Sequence, residues 1–278
     1  MRPDTSVHTA HLPGTRSGAA RRRTALAALV TALLVPLAAC SGGAQDTGGS
    51  AGAGSAPRTR LTVLAAASLT DVFRTAGAAY ERSHPGTRVT FSFAGSQELV
   101  AQVAQGAPAD ALVTADTGSM DKVRADTGAP VVIARNRLVI AVGKGNPFKV
   151  DALEDLADTR LKVVLAAPGV PAGTYGAKIL DARGITVRPV SREPNVRAVL
   201  GKVGLGEADA GLVYATDAES AGGKVDAVRI PDAQNAVAAY PAATLKASEN
   251  AGAAAAFVAW LSSPEAQKIL RDAGFLKP

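Results

Sequence analysis

Leu61-Thr62-Val63-Leu64-Ala65-Ala66-Ala67-Ser68-Leu69-Thr70-Asp71-Val72-Phe73 changes its period in mid-course. Leu61 to Ala65 is a short apolar run of strand length, whereas Leu69, Val72, Phe73, Ala76 and Tyr80 recur at helical spacing. Small residues end the strand, and Ser68 reads as the N-cap of the helix. A buried strand that runs directly into an amphipathic helix is the repeating unit of α/β folds, and the chain around it keeps that rhythm. Val89, Phe91 and Phe93 alternate as in a strand, and Leu99, Val100 and Val103 return to helical spacing. Strands follow at Ala111–Val113, Leu138–Val142, Leu161–Leu165 and Gly211–Tyr214, with a helical stripe at Val196, Val199, Leu200 and Val203. Phe257, Trp260 and Leu261 mark a late helix, and Ser263-Pro264-Glu265 opens the last one. Strands alternating with helices predict parallel sheets covered on both faces.

In such sheets ligands sit beyond the carboxyl ends of strands, where helices begin. Phe93-Ala94-Gly95-Ser96-Gln97-Glu98 repeats the pattern of the first junction. Each junction offers a hydroxyl and free backbone N–H groups at a helix N-terminus, where the dipole favours an anion. Ala167 to Tyr175 is a third small, turn-rich and helix-opening segment. The bland readings stand beside these: a serine there is an ordinary cap, Gly169 and Gly173 are ordinary turn residues, and Tyr214 can simply fill the core.

The chain's single cysteine, Cys40, follows a basic cluster (Arg21-Arg22-Arg23) and an apolar run from Thr24 to Ala39. The order of charge, apolar run and small residues is that of a secretory signal. A cysteine directly after it resembles the lipobox of bacterial lipoproteins, which implies cleavage after residue 39, a lipid on Cys40 and a protein tethered outside the cytoplasm. The run is shorter than the ~20 residues of a membrane span. The basic triplet suits either the general or the twin-arginine export route. Ser41 to Pro57 is mostly Gly, Ser and Ala, and cannot bury enough surface to order itself, so residues 40–59 read as a lipidated, flexible leash.

The chain of 278 residues has 30 basic and 24 acidic side chains. Removal of residues 1–39 takes five of the former and one of the latter, which leaves a net charge of +2 and little reason to expect a nucleic-acid partner. Beyond Cys40 there is no cysteine for a disulfide and only one histidine, His84. A His/Cys zinc site is excluded, and a Ser-His-Asp hydrolase would need His84 without any G-x-S-x-G elbow. Taken alone, these residues give an extracytoplasmic α/β protein with candidate anion sites, no cofactor and no catalytic constellation.

Seven segments then follow one another in a recognisable series. They are Ala65–Leu69, Phe93–Ser96, Ala107–Ala111 with Thr114–Asp116, Arg135–Val139, Val170–Tyr175, Asn195–Arg197 and Ala210–Ala218. Together they resemble the periplasmic molybdate-binding proteins of ABC-type molybdate transporters, from about Leu61 to Lys277. The resemblance implies an α/β, two-lobed periplasmic-binding-protein architecture (type II) with the ligand cleft between lobes. Residues 60–140 with 238–278 would form the first lobe and residues 141–237 the second. Ser68 and Ser96 would donate from the first lobe, Ala172 and Val196 would give backbone N–H groups from the second, and Tyr214 its phenolic O–H. Gln97 departs from the family pattern, which often has a small residue there. The ligand would be molybdate or tungstate, passed by a lipid-anchored monomer to an ABC-type permease in the membrane. A donor-only site of this kind suits a fully deprotonated dianion and disfavours hydrogen phosphate, whose O–H needs an acceptor. Sulfate or another small solute, a sensory lipoprotein, and an envelope enzyme using His84 remain the alternatives at this point.

Overall fold

The structure, a computed structural model, describes residues 59–278. The expected leader, Cys40 and its leash up to residue 58 lie outside the described residues. β1 (Thr59–Ala66) leads through a 3-10 turn (Ala67–Leu69) into α1 (Thr70–Ser83). β2 (Thr87–Ala94), α2 (Ser96–Ala104), β3 (Ala111–Val113) and α3 (Thr117–Lys122) follow. Next come the long β4 (Val131–Gly143), β5 (Val163–Ala166), α4 (Pro171–Asp181), β6 (Ser191–Glu193) and α5 (Val196–Gly204). β7 (Ala210–Tyr214), α6 (Ala215–Glu219), β8 (Val225–Arg229), β9 (Val237–Thr244), α7 (Ala251–Trp260) and α8 (Pro264–Asp272) complete the order.

β1 is apolar along its whole second half because both its faces are covered: Leu61, Val63, Leu64 and Ala65 are buried. It lies between β2 and β3, parallel to both. α1 lays Val72, Phe73, Ala76 and Tyr80 on that sheet. Gly77 is needed there, since a Cβ would come within 2.6 Å of the Phe91 ring. At the far end of the chain, Ser263 caps α8 by accepting the Ala266 N–H at 3.3 Å. Among the described residues no helix is long and apolar enough to cross a membrane.

The strand path runs β2-β1-β3-β9-β4-β7-β5-β6, with β8 also paired to β4. The expectation of parallel sheets is corrected here. β5 is parallel to β6 and β7, like β1 with its neighbours, but every pair made by β4 or β9 is antiparallel. β4 serves two sheets in succession: Val131–Arg137 pairs with β9, and Leu138–Gly143 pairs with β7 and β8. Asn235 secures the handover, accepting the Leu138 N–H at 3.1 Å and donating to the Leu138 carbonyl at 2.8 Å, as a strand neighbour would. The direction of these pairs follows from how the chain returns to each sheet, and nothing in the local composition of β4 or β9 announces it.

Candidate functional site

Ser68, Ser96, Ala172, Val196 and Tyr214 all line one small cavity. They reach it from five separate elements. The turn after β1 and the start of α2 supply Ser68 and Ser96, the N-termini of α4 and α5 form the second wall, and the end of β7 supplies Tyr214. The rest of the lining is Ala, Gly, Val and Pro with Asn195, and no charged residue is among it. Small side chains at Ala66, Ala67, Ala94 and Ala115 let a ligand approach the backbone.

The two serines are fully buried, and neither acts as the N-cap that its position suggested. Ser68 sits inside the 3-10 turn, and α1 starts after Leu69 with no side-chain cap. Its hydroxyl instead lies 3.0 Å from the Tyr240 hydroxyl. Ser96 is the first residue of α2, after Gly95, and its Oγ accepts the Ala115 N–H at 3.0 Å. Both serine hydroxyls are thus hydrogen-bonded to protein groups from distant parts of the chain.

The opposite wall offers backbone rather than side chains. The first N–H groups of a helix have no intrahelical acceptor. Accordingly, the N–H groups of Ala172 and Val196 find no protein acceptor among the described residues. Pro171 at the first turn of α4 removes one competing donor and fixes the entry of the helix. Asn195 caps α5 by accepting the Ala198 N–H at 3.0 Å. Gly173 lets α4 begin hard against β5, because a Cβ would fall 2.7 Å from the Ala166 carbonyl oxygen.

Tyr214 contributes the least satisfied group. Its hydroxyl is buried and has no hydrogen-bond partner among the described residues. Burial, and then the neighbouring Tyr240, Tyr175, Asp217 and Asp116, raise its pKa well above the ordinary value, so it is an O–H donor at any physiological pH. A cavity with two serine hydroxyls, a free phenol and two helix N-termini, and without a carboxylate, is built to receive lone pairs of a small anion. Among the described residues no cluster of His, Cys, Asp and Glu could hold a metal ion.

Two bridges flank the cavity that the sequence did not reveal. Gln97 Nε2 on α2 donates to the Pro194 carbonyl at 2.8 Å, so the residue that departs from the family pattern ties the two walls together. Arg197 on α5 reaches Asp71 on α1 at 2.7 Å and Asp217 on α6 at 2.6 Å. Asp217 is fully buried; burial pushes its carboxyl up to about 6, with Arg197 pulling the other way. The signal for Arg197 lay only in its place beside Val196, and nothing local pairs it with Asp71.

Comparison with known proteins places this geometry in context. The family of bacterial extracellular solute-binding proteins matches residues 61–276. The molybdate-binding protein ModA of Mycobacterium tuberculosis is 41% identical over 253 residues, covering 90% of this chain and 97% of that relative. Among solved structures, the periplasmic molybdate-binding protein of Azotobacter vinelandii superposes with a TM-score of 0.70 at 22% identity, covering 78% of this chain and 99% of that one. The sulfate-binding protein SubI of M. tuberculosis gives 0.69 at 23%, covering 78% and 86%. At such identities the structural likeness speaks for the fold alone, and the fold is shared by proteins named for different anions.

Proposed function

The chain belongs to the bacterial extracellular solute-binding proteins, and on that premise we propose that it captures molybdate, and tungstate with it, for an ABC-type permease. It is a binding protein and not an enzyme. The observation that carries the reading is the unpartnered Tyr214 hydroxyl, buried beside two free helix N-termini in a cavity without a carboxylate. A dianion with no proton of its own satisfies such donors, while hydrogen phosphate would bury an O–H with nothing charged to receive it. Fixed backbone donors also favour an ion that fills the distance between the walls, which separates molybdate and tungstate from the smaller sulfate.

In this reading Ser68, Ser96, Ala172, Val196 and Tyr214 hold the oxyanion. Residues 60–140 with 238–278 and residues 141–237 act as lobes that close on it. The division of β4 between two sheets supports that motion. A lipid on Cys40 tethers the monomer at the membrane, a reading supported by the leader and leash of the sequence. Isothermal titration with molybdate, tungstate, sulfate and phosphate tests the ligand. One-to-one binding of the first two, with little heat from the others, is expected; silence from all four would remove the assignment. Cys40→Ser in the full chain should release the protein from the membrane fraction, and retention there would refute the anchor.

A further inference from the structure

Tyr240 touches the proposed site without lining it. The residue is fully buried on β9, and its hydroxyl lies 3.0 Å from Ser68 Oγ. Two hydroxyls at this distance share one proton between their oxygens, and geometry alone permits either to donate. The surroundings decide. Asn136 on β4 also approaches the Tyr240 hydroxyl, and a hydrogen bond from it lowers the phenol's pKa, so the amide acts toward Tyr240 as a donor; its Oδ1 accepts the Arg137 N–H at 2.9 Å and its Nδ2 donates to Thr216 Oγ1. Among the described residues, Ser68 Oγ is the oxygen that lies within hydrogen-bond distance of the Tyr240 O–H. Ser68, by contrast, faces the cavity, where a bound anion gives its proton a destination.

We propose that Tyr240 is a positioning residue: its O–H donates to Ser68 Oγ and thereby commits the Ser68 proton to the bound oxyanion. Ser96 is treated the same way by backbone, since the Ala115 N–H fills its oxygen at 3.0 Å. Both serines are turned into one-way donors by a protein group behind them, one a peptide and the other a phenol 172 residues away in sequence. Burial raises the Tyr240 hydroxyl far above its ordinary value, which keeps it protonated and able to donate. Chained hydrogen bonds polarise one another, so a donor behind Ser68 also strengthens the bond in front of it.

The inference rests on the oxyanion reading of the cavity, and its test separates the two. Molybdate is titrated calorimetrically into the full-chain wild type, Tyr240→Phe, Ser68→Ala and the double variant, with a thermal melt of each without ligand. Phenylalanine keeps the ring contacts with Tyr214 and Phe275, whose centroids lie 5.9 and 5.4 Å away. Tyr240→Phe should weaken binding by about five- to tenfold, yet change it by less than about twofold when Ser68 is already alanine. An equal loss in both backgrounds would mean a merely structural role and overturn the relay. Unchanged or tighter binding in Tyr240→Phe would also overturn it, the latter because Ser68 would then have been donating to Tyr240. If Tyr240→Phe does not fold, 3-fluorotyrosine placed at 240 alone decides, because the more acidic phenol must tighten binding if it is the donor; no change or a weakening overturns the relay. Failure of the wild type to bind molybdate would remove the site reading itself, whereas loss in Ser68→Ala with none in Tyr240→Phe removes only the relay.

Discussion

Ser68 and Ser96 stand on one wall of the cavity with their hydroxyls hydrogen-bonded to Tyr240 and to the Ala115 peptide, while Ala172 and Val196 stand on the other as bare peptide groups at the start of two helices. The first wall speaks through side chains, so a single deleted atom changes it. The second speaks through the backbone, so only a displaced helix changes it, and the identity of the side chain is nearly immaterial to the anion. A site assembled from both kinds gains the reach of hydroxyls and the fixed geometry of helix termini. The contrast would also account for residues as unremarkable as alanine and valine at the proposed binding positions.

Variants that attack the two walls should therefore behave differently. Gly173→Ala should have the largest effect, because the new methyl meets the Ala166 carbonyl oxygen at 2.7 Å and must push the start of α4 away. Losing its donors should weaken molybdate binding by about 100-fold or more in calorimetry, and binding within tenfold of wild type would refute the role of this wall. Tyr214→Phe and Ser68→Ala should each weaken binding by about 1–3 kcal/mol, the worth of one hydrogen bond to a charged group. Unchanged affinity in both would take them out of the site.

Arg197 joins the walls, and its buried partner gives a pH signature. The Asp217 carboxyl is pushed up to about 6 in the folded protein, whereas the unfolded chain titrates near the ordinary value of about 4. Between those values the folded state keeps a proton that the unfolded state has lost, so this residue's contribution to stability rises as pH falls through 6. In urea unfolding, wild type should gain about 1–3 kcal/mol on Asp217→Asn between pH 7 and pH 4. A constant difference would show that the carboxyl is not raised. Asp71→Asn removes the more exposed arm of the same bridge and should cost less than about 1 kcal/mol of ligand affinity, seen as faster release in stopped flow. A release rate equal to wild type would leave the bridge without a part in closure. Smallest of all on affinity is Val196→Ala, expected within about twofold, although burial makes the same change cost roughly 1–3 kcal/mol of stability. A large affinity loss there would mean that the side chain, and not the peptide, meets the ligand.

Much of this arrangement was legible from residue pattern. Leu61 to Ala65 announced a doubly covered strand, and the stripe from Val196 to Val203 a helix, because burial imposes each period directly on the sequence. The strand–helix junctions at Ser68 and Ser96 were legible as places, but their hydroxyls were misread as caps. What they bind, Tyr240 and the Ala115 peptide, lies 172 and 19 residues along the chain and is joined to them only by the fold. The antiparallel pairs of β4 and β9 escaped for the same reason. Val131–Arg137 takes its partner from about a hundred residues later, and local alternation cannot say in which direction that partner runs. Gln97 looked like a local irregularity and proved to be a contact with Pro194.

The return of β9 to the first sheet also sets a timetable for synthesis. β3 and the first half of β4 are made early, yet the strand that lies between them is Val237–Thr244, translated about a hundred residues later. Until it emerges, both strands carry unpaired edges, and their sheet cannot close. The long separation between partners slows that closure further. The topology itself thus withholds the finished first sheet until residues 237–244 have been made.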